Sequence, residues 1–159
     1  MTVLSCFDGM ACGRLALERA NIQIDKYYAS EIDKHAIKVA LSNYPDIIQL
    51  GDINKIDITK LDKIDLLIGG SPCQGFSFAG KQLNFKDPRS KLFFKYVDVL
   101  NKLRVVNPSI KFLLENVRMK KEYENVITTA LGVSPIMINS KLVSAQNRVR
   151  LYWTNIQGV

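Results

Sequence analysis

Residues 2–20 read "TVLSCFDGMACGRLALERA". The apolar run "TVLSCF" reads as a strand. After a glycine-bearing turn, "GRLALERA" reads as a helix with apolar residues at Leu15, Ala16 and Ala20. Gly9 and Gly13 let the chain turn tightly and let a ligand come close to the backbone. Their G-x-x-x-G spacing is not the dinucleotide fingerprint G-x-G-x-x-G, and the phosphate-cradling G-x-x-x-x-G-K-[ST] does not occur.

The same alternation continues outward from this unit. "KYYASE" is a second strand. "DKHAIKVALSNY" is a helix that Asp33 can cap, with Ile37 and Leu41 four apart. "DIIQLGD", "KIDLLIGG" and "IKFLLENV" are strands three to five. Between the last two, "SKLFFKYVDVLNKL" has helical spacing at Leu92, Tyr96, Val99 and Leu103. A helix from about Lys120 to Leu131 closes at Gly132, and "PIMIN" and "VRLYWTN" are the last strands. Continuous apolar strands alternating with helices predict an α/β fold with a doubly wound, mostly parallel, Rossmann-like sheet covered on both faces. Ligands of such sheets sit beyond the carboxyl ends of the strands. Asp8, Glu31, Asp52, Cys73 and Glu115 each fall at or just after a strand end, so all five are expected on one rim.

A chain of 159 residues fits one domain with a core of its own. No apolar stretch approaches the roughly 20 residues of a membrane span. The first residues carry no basic leader and read as a strand, so a cytoplasmic protein with no membrane association is expected. Three cysteines, Cys6, Cys12 and Cys73, with no C-x-x-C, argue against a disulfide framework. With one histidine, His35, no metal site is expected. The net charge of +7 is uneven: residues 1–80 hold eight Lys+Arg against ten Asp+Glu, and residues 81–159 hold fourteen against five. A basic half suits a polyanion, nucleic acid being the commonest. A solvated lysine-rich face accounts for the same charge.

Each carboxylate of the rim has a plainer explanation taken singly. Asp8 suits a helix cap, and Glu31 and Asp52 suit turns. Three acids at successive strand ends favour a ligand. Glu31 lies 18 residues after Gly13, about where such folds hold a ribose. Asp8 and Asp52 would repel a pyrophosphate, so a nucleoside bearing cationic groups fits better. S-adenosylmethionine, with its adenosine, sulfonium and amine, is such a molecule.

Cys73 lies in "GGSPCQGFSF", in a loop and not within an apolar run. His35 reads as a helix-surface residue, so a Cys–His pair is not indicated. Cationic neighbours would raise the thiolate fraction of Cys73. "QNRVR" can supply them, since in an extended strand Gln146, Arg148 and Arg150 share one face. The alternative is a basic edge strand protected from aggregation. Glu115, near a strand end, is eligible as an acid or hydrogen-bonding group.

"FDGMACG", "GGSPCQGFS", "LLENV" and "SAQNRVRLYW", in that order, resemble the DNA cytosine-5 methyltransferases over essentially the whole chain. The resemblance implies that Cys73 adds to C6 of a flipped cytosine and that Glu115 acts at N3. It implies that Arg148 and Arg150, with Gln146 beside them, orient the base and its phosphates. Phe7, Asp8, Gly9 and Gly13 would line the S-adenosylmethionine pocket, with Glu31 on the ribose, Ile32 and Ile53 flanking the adenine, Asp52 on its amino group and Leu92 beside it. Pro72, Gln74, Ser77 and Asn116 would contact substrate. "FAGKQLNFKDPRSK" reads as a loop whose Lys81, Lys86, Arg89 and Lys91 are available to DNA phosphates or simply to solvent.

Two departures accompany the resemblance. Ala11 stands where a glycine is common, and the chain stops at Val159, before the usual target-recognition region and returning C-terminal segment. One catalytic domain over residues 1–159 is expected, completed by such a region or by a second chain. An RNA cytosine-5 methyltransferase and a non-catalytic nucleic-acid or S-adenosylmethionine-binding module are the competing expectations.

Overall fold

The computed structural model describes residues 1–72 and 90–158. The strands are β1 (Thr2–Cys6), β2 (Lys26–Ser30), β3 (Ile48–Gln49), β4 (Leu66–Gly70), β5 (Lys111–Val117), β6 (Ile136–Asn139) and β7 (Val149–Thr154). The helices are α1 (Cys12–Arg19), α2 (Lys34–Asn43), α3 (Ser90–Val106) and α4 (Lys121–Leu131). One seven-stranded sheet has the order β3-β2-β1-β4-β5-β7-β6. Strands β1 to β5 pair in parallel, while β7 runs antiparallel between β5 and β6.

Successive strand residues point to opposite faces, and the core divides accordingly. Leu4, Tyr28 and Leu67 join the cluster under α3 and α4, which includes Phe93, Tyr96, Tyr123 and Ile127. Val3, Tyr27, Ala29, Leu66 and Ile68 join the other, with Ala40 and Leu17. Strands apolar on both sides thus carry helices on both sides, as the continuous apolar runs require. Asp33 caps α2 by accepting from the amides of His35 (2.8 Å) and Ala36 (3.3 Å). His35 itself lies exposed on that helix. Gly132 ends α4 at φ 76°, the left-handed conformation glycine adopts without strain.

Three expectations are corrected. Strand β3 has only two residues, so most of "DIIQLGD" is turn. Strand β5 runs on to Val117, which places Glu115 within the strand and not at its end. Gln146 and Arg148 do not share an extended strand with Arg150. The β6–β7 ladder stops at Asn139 opposite Val149. There the Asn139 side chain accepts from the amides of Lys141 and Arg148, both at 3.1 Å, and donates to Asn147 Oδ1 at 2.8 Å. These bonds close the connection into a loop, and residues 141–148 lie exposed along it.

The sheet order reverses direction at β1, whose neighbours are β2 on one side and β4 on the other. A crevice opens outside the carboxyl ends at such a switch point. Glycines keep it open. A Cβ on Gly13 would meet Ile68 Cδ1 at 2.4 Å and the Tyr27 hydroxyl at 3.1 Å, so α1 starts in close contact with the strands.

Candidate active site

The loop from β1 to α1 is held in an unusual backbone. Phe7, Gly9 and Ala11 alternate into positive φ, at 59°, 60° and 64°. For Phe7 and Ala11 this is a strained choice that surrounding structure must enforce. The enforcement is visible. The Asp8 amide donates to the Ser30 carbonyl (3.2 Å), and the Gly9 amide donates to Glu31 Oε2 (2.8 Å). Glu31 Oε1 accepts from the amides of Ile32 (2.8 Å) and Asp33 (2.9 Å). Glu31 lies one residue past β2 and joins the first two strand ends through backbone donors.

Asp8 is not a helix cap. Helix α1 takes Ala11 as its N-cap with no side-chain bond. Asp8 is buried at 8% exposure and accepts the Tyr27 hydroxyl on Oδ1 at 2.7 Å. Its Oδ2 is buried with no hydrogen-bond partner among the described residues. Burial raises its pKa above the usual carboxylate range, opposed by the nearby Ser5 and Tyr27 hydroxyls and reinforced by the charge of Glu31. Cys6, two residues earlier, is fully buried, and its thiol is pushed up to about 12 by burial and then by the Asp8 charge. A thiol so placed stays protonated near neutral pH and is a packing residue.

Two cavities open on this edge and share Phe7. The first, of about 210 Å³, lies over the ends of β1, β4 and β5, with Asp8, Gly13, Gly69, Gly70 and Glu115 in its wall. The second, of about 160 Å³, is lined by Glu31, Ile32, Asp52, Ile53, Pro72 and Leu92. Gly51, at φ 71°, turns the chain so that its carbonyl takes the Ser30 hydroxyl at 2.7 Å and Asp52 comes to the cavity wall. Asp52 also caps a short 3-10 turn. Its Oδ1 accepts from the Asn54 amide (2.9 Å) and side chain (2.8 Å), which lowers its pKa. The turn explanation of Glu31 and Asp52 and their place at a cavity thus hold together.

The residues of the second cavity suit an adenosine. Ile53 forms a buried apolar base, and Ile32, 73% exposed, stands as a lip with no apolar cover. A carboxylate has about four acceptor positions. Glu31 has three taken by amides, and Asp52 Oδ2 makes none of the bonds described. Capacity remains for one ribose hydroxyl on Glu31 and for an amino group on Asp52. Asp8 forms part of the first cavity's wall, though its Oδ2 is itself buried.

At the other side of the first cavity Glu115 and Arg150 form an ion pair, with Nε 2.7 Å from Oε1 but not oriented for a hydrogen bond. Gly70 lies opposite Glu115 in the ladder, and a Cβ there would be 3.1 Å from Glu115 Oε2. Asn116 is buried at 1% exposure and bonds to Ser71 instead of facing the cavity. Arg148 and Gln146 are exposed outside β7. Cys73, Gln74 and Ser77 lie outside the described residues, as do Lys81, Lys86 and Arg89. Among the described residues no group of three or more His, Cys, Asp or Glu could hold a metal ion. None of their helices is long and apolar enough to cross a membrane. Sequence reading missed Tyr27, Gly51 and Gly70. Gly51 and Gly70 had the signal of a glycine at a strand end, but Tyr27 had none, because its role depends on the β1–β2 register.

A family model described as "C-5 cytosine-specific DNA methylase" matches residues 1–157. The chain belongs to that family. Among its methylase relatives, the orphan methyltransferase M.SPRI of Bacillus phage SPR is 36% identical over 99% of this chain and 38% of its own length. The type II methyltransferase M.NgoBV of Neisseria gonorrhoeae is 36% identical over 95% of this chain and 40% of its own. This methylase chain therefore spans about two fifths of the curated relatives it matches. The crystal structure of S. pombe Dnmt2 methyltransferase shares the fold with a TM-score of 0.77 at 23% identity, over 100% of this chain and 52% of that one.

Proposed function

We propose that this chain is the catalytic part of an enzyme that methylates C5 of cytosine in DNA. The observation that carries the proposal is the pair of cavities sharing Phe7, one walled by Glu31 and Asp52 and the other by Asp8 and Glu115. S-adenosylmethionine supplies an electrophilic methyl group on a sulfonium. Glu31, with one acceptor position left, would accept from a ribose hydroxyl, Asp52 from the adenine amino group, and Ile32, Ile53 and Leu92 would enclose the ring. Asp8, in the wall of the first cavity, would lie on the side of its cationic groups.

Cytosine C6 is a weak electrophile, so the attacking atom must be soft and strongly nucleophilic. Cys73 attacks as the thiolate, forming a C6–S bond while the C5–C6 π electrons move to C5. Glu115 hydrogen-bonds or protonates N3 and takes up the charge that develops on the ring, with Arg150 holding its carboxylate. C5 would then take the methyl group, the S–CH3 electron pair staying on sulfur, which leaves as the neutral thioether S-adenosylhomocysteine. Loss of the C5 proton to a base re-forms the double bond and expels the Cys73 thiolate. None of this can occur within a stacked duplex, so the base is flipped out at a cost of a few kcal/mol. Contacts from the basic half to phosphates offset that cost. In the matched relatives, which are more than twice as long, this stretch is one part of the protein.

The test is transfer of labelled methyl from S-adenosylmethionine to DNA, with digestion and mass analysis of the nucleosides. 5-Methylcytosine is expected, and none with Cys73→Ala. Competition by RNA at equal mass, with the label going to RNA, would overturn DNA as the substrate.

A further inference from the structure

We propose that Asn116 is a positioning residue. Its buried side chain ties the exit of β4 to the end of β5 and so sets Ser71, two residues before Cys73 in the sequence, relative to Glu115. The inference rests on the reading of Cys73 and Glu115 as the reacting groups.

Asn116 is 1% exposed and Ser71 is 4% exposed, which makes them two of the few buried polar side chains. Asn116 Nδ2 donates to Ser71 Oγ at 3.0 Å and approaches the Ser71 carbonyl at 3.4 Å. Its Oδ1 accepts from the Val117 amide at 2.8 Å. Donor and acceptor ends of one carboxamide are thus used on two different strands' ends. A buried polar group is kept only where its bonds are made, and here they join the exit of β4 at Ser71 to the end of β5 that carries Glu115. The β4–β5 register stops at Gly70 opposite Glu115. Beyond it, Asn116 to Ser71 is a side-chain continuation of the ladder. Gly70 contributes by absence, because a Cβ would press on Glu115 Oε2. Asn116 therefore acts through Ser71 and Glu115 and not by touching cytosine.

The experiment uses the full chain with the variants Asn116→Ala, Asn116→Asp and the milder Ser71→Ala, which leaves the backbone carbonyl as acceptor. Four readouts are taken: urea midpoint, S-adenosylmethionine affinity, DNA affinity, and the single-turnover rate of adduct formation on DNA containing 5-fluorocytosine. Misplacement by about 1 Å lowers a rate about 100-fold. That loss is expected for Asn116→Ala, with both affinities within about threefold of wild type. In Asn116→Asp the ionised side chain still accepts from Val117 but cannot donate to Ser71. Its rate relative to wild type is expected to rise as pH falls and the acid becomes a donor.

A rate within about twofold of wild type in folded Asn116→Ala overturns the proposal. So does a lower DNA affinity with an unchanged rate at saturating DNA, which would make Asn116 a substrate contact. Amide exchange of the peptide spanning residues 68–78 separates this inference from the functional reading. Faster exchange there in Asn116→Ala, with the rest of the sheet unchanged, supports the tether even if wild type forms no adduct. Equal exchange overturns it in either case.

Discussion

Asp8 is held in a place where its charge is unfavourable. Burial raises its pKa, so the folded protein binds its proton more tightly than the unfolded chain does. The stabilising contribution is present below the unfolded carboxylate range and is lost as pH rises through the folded pKa. Asp8→Asn removes the buried charge while keeping an acceptor for Tyr27. The variant should melt about 2–4 °C higher than wild type at pH 7, the shift about 1 kcal/mol produces at this size. The difference should vanish below about pH 4, where wild type is protonated too. Calorimetric melting across pH checks both. The same variant should bind S-adenosylmethionine about tenfold more weakly, a loss of about 1.4 kcal/mol, by titration calorimetry. The cysteines give a second expectation. With its thiol at about 12, Cys6 should resist iodoacetamide at neutral pH, while exposed Cys12 is labelled, as mapped by mass spectrometry. The position of Asp8 on the rim was legible from the sequence. Its partner Tyr27 was not, because a β2 hydroxyl reaches Asp8 only once the two strands are in register.

At the scale of elements, β1, α1, β2, α2, β4 and α3 followed from hydrophobic pattern, while β3 shrank to two residues. The β1–α1 and β2–α2 units are local, each apolar run and the helix after it lying close together in sequence. The last third of the chain did not follow as fully. That β7 enters antiparallel between β5 and β6 is a non-local choice, secured by contacts no window of sequence displays. Trp153 is fully buried and donates from Nε1 to Thr128 Oγ1 (3.0 Å), and Asn155 accepts from the Phe112 amide at 2.9 Å. Side-chain closure by Asn139 likewise removed Gln146 and Arg148 from the expected strand face. Gly69 shows how tightly β4 and α3 are joined. A Cβ there would be 2.9 Å from Tyr96 Cε2 and 3.1 Å from the Cys6 carbonyl. Backbone cannot yield as a flexible side chain does, so Gly69→Ala should cost about 1–3 kcal/mol, read from the urea midpoint.

For the whole molecule, charge and fold divide the labour. The acidic half, residues 1–80, holds the carboxylates proposed for the cationic nucleoside, and the basic half holds the residues proposed for phosphate. DNA affinity should therefore fall linearly with salt on logarithmic axes, with a slope of about −0.9 per phosphate neutralised. A flat dependence, by anisotropy titration, would remove the basic half from the interface. The carboxylates and glycines that line the two cavities were legible at strand ends, because the parallel sheet puts those ends on one edge. The proposed substrate side rests on motifs, since Cys73 and the lysines that follow carry no periodic signal and lie outside the described residues. The most direct measurement is therefore made on Cys73. DNA containing 5-fluorocytosine is mixed with S-adenosylmethionine and the chain, alone and with the C-terminal part of a relative, and the product is weighed intact. Fluorine at C5 blocks the final elimination. The expected mass is that of chain, oligonucleotide and one methyl group joined at Cys73, and no such species with Cys73→Ala. Absence of the adduct under both conditions, or its survival in Cys73→Ala, would contradict the assignment.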